Sequence, residues 1–172
     1  MTEESVVEKT TKIKKGPRGP QEGYHPQNLA FLDDFLRVNH ISTGDAAQAL
    51  GVTRQVVYYW LKKDDIRLSS VLALFEKLGH RLKIELEGEN QMSGKAWVRY
   101  DPPKNDACPR LSFLTFAFDK YNIKVKDLHE KTGISVNAIY HWLEVDDILV
   151  SYIYKVAEAM GLQVVITIEK IA

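Results

Sequence analysis

Tyr58, Tyr59, Trp60, Leu61, Lys62, Lys63, Asp64, Asp65, Ile66 returns 82 positions later as Tyr140, His141, Trp142, Leu143, Glu144, Val145, Asp146, Asp147, Ile148. Six of the nine pairs are identical. The echo extends outward without a gap, through Phe31 and Phe113, Leu32 and Leu114, Gly51 and Gly133, Gly79 and Gly161, and Ile84 and Ile166. Residues 28–87 and 110–169 therefore read as one unit written twice. Two copies fall short of the three or more that a solenoid needs for a continuous core. Tandem duplication predicts two compact domains instead.

Each copy, at about 60 residues, is close to the lower practical size for a self-supporting core and gains from docking on a partner. An apolar content of 45% with 27% charged residues describes a soluble globular chain. No apolar run approaches a membrane span, and the N-terminus offers no signal-peptide core, so the expected location is cytoplasmic with no membrane partner. The single Cys108 excludes an intramolecular disulfide framework. Formal charge is zero, so any attraction for a polyanion must come from local clustering.

Residues 1–27 mix Thr, Glu, Lys, Gly and Pro without apolar periodicity and read as a flexible tail. In the first copy, Phe31, Leu32, Phe35 and Leu36 recur at the three-to-four spacing of an amphipathic helix. A second helix is expected from about Thr43 to Leu50, capped by Ser42 or Thr43, and Gly51 breaks it. Thr53 can cap a third helix running to about Lys62. Leu68, Val71, Leu72, Phe75 and Leu78 line a fourth, which Gly79 ends. The period then changes to two: Leu82, Ile84 and Leu86 alternate with charged residues, as in a half-buried strand. The second copy keeps the order, with Phe113, Leu114 and Phe118, then Ile153, Ala157 and Met160, then Val164, Ile166 and Ile168.

A lone strand cannot satisfy its own backbone groups. The two C-terminal strands are therefore expected to pair antiparallel about a pseudo-twofold, making one chain a pseudo-dimer. Residues 88–109 read as a linker, in which residues 95–100 can add a strand. Residues 110–172 form the second domain.

The spacing of the second and third helices has a mechanical reason. With Thr43 as the first position, Ala47 is the fifth, where the helices cross and only a small side chain fits. Gly51 is the ninth, where the turn requires a positive φ. Ala46, Leu50, Val52, Val57 and Trp60 fall on the locking positions, which leaves Arg54, Gln55, Tyr58 and Tyr59 on the outer face of the third helix. This pattern resembles the lambda-repressor-like, or Cro and xenobiotic-response-element, helix-turn-helix family, and it does so twice in one register. The fold class expected is mainly α: tandem helix-turn-helix domains, each of four helices followed by a strand.

The resemblance implies that the third helix enters the major groove of duplex DNA. By position, the candidate base contacts are Thr53, Arg54, Gln55, Tyr58 and Tyr59, with Ser135, Asn137, Tyr140 and His141 in the second copy. Arg forks to guanine O6 and N7, and Gln or Asn to adenine N6 and N7. Ser42, Thr43, Lys62, Lys63, Lys124 and Lys126 are the candidate phosphate contacts. The second copy departs from the pattern: His129 stands where Ala47 does, Thr132 replaces Leu50, and Glu144 and Val145 replace Lys62 and Lys63. A looser helix crossing is expected there. The acidic pairs Asp64–Asp65 and Asp146–Asp147 are expected to cap the fourth helices, and Trp60 and Trp142 to point into the core.

The five histidines share no metal-ligand spacing with each other or with Cys108. No phosphate-binding loop or nucleophile elbow is present. The chain is thus expected to be a sequence-specific double-stranded DNA-binding transcription regulator without catalytic activity, metal or cofactor, able to form a homodimer through strand edges. The alternative is a protein-interaction or antitoxin-like module on the same fold, with a protein partner in place of DNA.

Overall fold

A computed structural model describes residues 26–88 and 110–171. The expected strand at 95–100, Cys108 and the tail through residue 25 lie outside the described residues. Within them the chain is mainly helical: α1 (Ala30–Val38), α2 (Thr43–Leu50), α3 (Arg54–Lys63), α4 (Leu68–Lys77), β1 (His80–Glu87), α5 (Ser112–Lys120), α6 (Val125–Thr132), α7 (Val136–Val145), α8 (Val150–Ala159) and β2 (Gln163–Lys170). Each helix from α5 to α8 starts and ends 82 positions after its counterpart among α1 to α4. The left-handed backbone positions recur at the same distance: His40 and Asn122, Gly51 and Gly133, Asp64 and Asp146, Gly79 and Gly161 all have positive φ. The local turns are therefore built alike, although several residues in them differ.

The chain divides into two compact units whose sequence boundary falls between Asp65 and Ile66, inside the first copy and not in the linker. In the first unit, α1 turns Leu32, Phe35 and Leu36 inward, α2 contributes Ala46 and Ala47, and α3 contributes Val57 and Leu61. These are the apolar positions that the helical spacing selects. Ser42 caps α2 through a reciprocal box: its Oγ accepts from the Asp45 amide at 3.0 Å, and its own amide donates to the Asp45 carboxylate at 3.2 Å.

The second unit holds α4, β1 and everything from α5 onward. Val71, Leu74 and Phe75 of α4, Leu114 and Ala117 of α5, and Ile153, Val156 and Ala157 of α8 are buried. The sheet is a two-stranded antiparallel ladder of β1 and β2, as expected, in which Ile84 lies opposite Ile166. A second, isolated antiparallel bridge joins Arg67 and Leu149. The Leu68 amide donates to the Ile148 carbonyl at 2.8 Å, and the Val150 amide to the Ile66 carbonyl at 2.9 Å. Both pairings set a residue against the one 82 positions further along. They account for the unit boundary, because the segment at the head of α4 and the whole of β1 are hydrogen-bonded to the second copy. Helix α5 adds to this by packing on β1.

The two strands are not equivalent in burial. Leu82, Ile84 and Leu86 of β1 are buried, whereas Val164, Ile166 and Ile168 of β2 are only half-buried. The expected alternation is clean on β1 and blurred on β2, where Val165 is half-buried too.

Candidate nucleic-acid interface

Helix α3 is braced from one side and open on the other. Val57 and Leu61, four apart, are buried, and α3 packs on α2 through the buried Ala46 and Ala47. Gly51 closes the turn between them at φ +78°, as its position requires. Thr53, Arg54, Gln55, Tyr59, Lys62 and Lys63 are all exposed, while Tyr58 is half-buried. Among the described residues Arg54 and Lys63 form no ion pair, and the Lys63 ammonium lies 5.6 Å from the centre of the exposed Tyr59 ring. That contact holds a cation over an aromatic face at the surface.

Thr53 takes the extended N-cap conformation but its side chain makes no capping hydrogen bond, contrary to the expected cap. The Val56 amide instead donates to the Thr53 carbonyl at 3.0 Å. Of the expected phosphate contacts on α2, Ser42 is engaged in the capping box and Thr43 is half-buried. Trp60, expected in the core, is half-buried.

Asp64, the first of the acidic pair after α3, has a different task from the one expected. The Asp64 carboxylate accepts from the amides of Gln27 at 3.1 Å, Asn28 at 3.0 Å and Leu29 at 2.9 Å, so it caps the start of α1 and not the fourth helix. The geometry follows from the backbone: Asp64 ends α3 in the left-handed region at φ +59°, a conformation that Asp tolerates better than most residues. Its charge therefore faces the positive end of α1.

In the second unit the counterpart face lies on α7. Ile139 and Trp142 are buried, and the Trp142 ring meets Tyr152 of α8 with centroids 5.1 Å apart. Ser135, Asn137, Tyr140, His141, Glu144 and Val145 are exposed. Ser135 caps α7, its Oγ accepting from the Ala138 amide at 3.1 Å. Lys124 and Lys126 are exposed at the start of α6. Asp146 accepts from the amides of Arg110 at 3.3 Å and Leu111 at 3.1 Å, and thus caps the start of α5. Asp147 does cap a fourth helix, but that of the other copy. It accepts from the Ser69 amide at 3.0 Å and the Ser69 hydroxyl at 2.6 Å at the head of α4.

The departures at this turn have local uses. His129 keeps its ring out of the helix crossing, with Nδ1 2.6 Å from the Ile134 carbonyl, and Thr132 Oγ1 donates to Leu128 O at 2.7 Å while accepting from the Ile134 amide at 3.1 Å. Side-chain hydrogen bonds thus fasten a turn that the first unit fastens by small-residue packing.

A groove of about 580 Å³ runs along β1, lined by Leu82 through Glu87 and by Phe113 and Phe116 of α5. Among the described residues no cluster of His, Cys, Asp or Glu is placed to hold a metal ion, and no helix is long and apolar enough to cross a membrane. No protein-family model matches the chain, and neither a curated protein nor a solved structure matches it significantly.

Proposed function

We propose that this chain is a non-catalytic, cytoplasmic regulator of transcription that binds double-stranded DNA sequence-specifically, on two tandem lambda-repressor-like helix-turn-helix domains whose C-terminal strands pair about a pseudo-twofold. The observation that carries the reading is the exposed set on α3: Arg54, Gln55, Tyr59, Lys62 and Lys63 all reach solvent from a helix that Val57 and Leu61 fix in the core. A rigid helix with a guanidinium and an amide at its start, and a basic pair in its last turn, has the groups needed at a major groove. Arg54 and Gln55 supply forked donors for base edges, and Lys62 and Lys63 supply charge for phosphates. Matched helix bounds and matched left-handed turns support the tandem reading. The groove along β1 offers a strand edge for a homodimer.

Arg54→Ala is expected to cost roughly 1–3 kcal/mol of binding and to relax base preference at one position. Mobility-shift titration on a selected site and on random duplex measures both. A loss that is equal on the two DNAs would argue against the groove assignment.

Zero formal charge, and Tyr140 and Val145 standing 57% and 43% exposed on α7, favour the second reading, a protein-interaction or antitoxin-like module. A stoichiometric protein partner recovered with the native chain, together with DNA affinity that is insensitive to salt, would establish it in place of the first.

A further inference from the structure

Resting on the DNA-binding reading above, we infer that readout is one-sided: α3 reads the duplex, α7 does not, and one chain therefore occupies a single half-site. The two helices have matched bounds and matched turns, so their outer faces can be compared position by position. Arg54 is answered by Val136, Gln55 by Asn137, Lys62 by Glu144 and Lys63 by Val145. Helix α3 carries three cations and no acid, whereas α7 carries Glu144 and no lysine or arginine. The exchange removes charge at both ends of the helix and puts a carboxylate where a phosphate would lie.

The helix starts differ only in how they are capped. The Ser135 hydroxyl accepts from the Ala138 amide at the start of α7, whereas the matching Val56 amide of α3 donates to the Thr53 carbonyl at 3.0 Å, so the contrast between the two helices rests on their charges. Helix α6 does not restore the balance, because Lys126 and Lys131 share it with Asp127 and Glu130. Phosphate neutralisation sets the salt dependence of binding at about −0.9 in log–log slope per contact. Lys62 and Lys63 can supply two such contacts, and their counterparts none.

The test uses the full chain and a random duplex pool selected at two salt concentrations, with the mass of the resulting complex measured by light scattering. One short, uninterrupted motif per bound chain is expected. On that motif Arg54→Ala/Gln55→Ala should weaken binding tenfold or more, and Asn137→Ala/His141→Ala less than twofold. Lys62→Glu/Lys63→Val, which writes the α7 residues into α3, should lose binding and flatten the salt slope by about two units. All these positions are exposed, and a circular-dichroism melt confirms that each variant is folded. A split motif covered by one chain, a tenfold loss in the Asn137/His141 variant, or undiminished binding by the Lys62/Lys63 variant would each overturn the inference while leaving DNA binding in place. Absence of any salt-dependent binding by the unaltered chain would bring down the DNA-binding reading itself, and this inference with it.

Discussion

Two residues show how much a single side chain contributes here. Asp64 accepts three amides at the start of α1, so Asp64→Ala removes a cap and also places alanine at φ +59°. The expected cost is about 2–3 kcal/mol, read from urea unfolding of the full chain. Asp146→Ala should cost less, because its carboxylate accepts two amides there at longer range. Equal losses would show that the first cap is not the stronger. Gly51 isolates the backbone contribution: a Cβ built there meets nothing within 4 Å, yet φ is +78°. Gly51→Ala should therefore cost about 1–2 kcal/mol from conformation alone. A cost of 4 kcal/mol or more would mean that packing has been misread. The role of Gly51 was legible in the sequence because its ninth position in the helix pair demands that backbone. The role of Asp64 was not, since its partners lie 35 to 37 residues back in the chain and no local spacing reveals them.

At the scale of elements, periodicity, caps and the 82-residue repeat together located the eight described helices and both strands, and the unsatisfied backbone of a lone strand foresaw the antiparallel pairing of β1 with β2. Helical residues four apart share a face, and strand residues two apart share a face, so the buried set was readable. What periodicity does not carry is which copy completes which core. Asp147 caps α4, and α5 packs on β1; both are choices of partner, and a repeated sequence offers two chemically similar partners for each. Most of the exposed residues of α3 could be read in the same way, whereas the half-burial of Tyr58 and the missing side-chain cap at Thr53 needed coordinates. The strands supply a prediction of their own. Ile84 is buried and its partner Ile166 only half-buried, so Ile84→Ala should cost about 2–5 kcal/mol and Ile166→Ala clearly less. Thermal melts that rank the two the other way would contradict the difference in burial between the two strands.

At the scale of the molecule, the unit boundary at Asp65–Ile66 makes the linker a poor place to divide the protein. Cleavage at a protease site inserted within residues 89–109 should leave two fragments that co-elute, because β1 remains laddered to β2 and Arg67 remains bridged to Leu149. Separation of the fragments on a sizing column would refute this. The same ladder has a bearing on synthesis. A ribosome finishes residue 87 well before it reaches residues 163–170, and at ~5–20 residues per second the interval is roughly 4–15 s. Throughout that wait Leu82, Ile84 and Leu86 have no mate. Arg81, Lys83, Glu85 and Glu87, interleaved with them, are the gatekeeping charges that discourage nascent chains from zipping together edge to edge before each can close on itself.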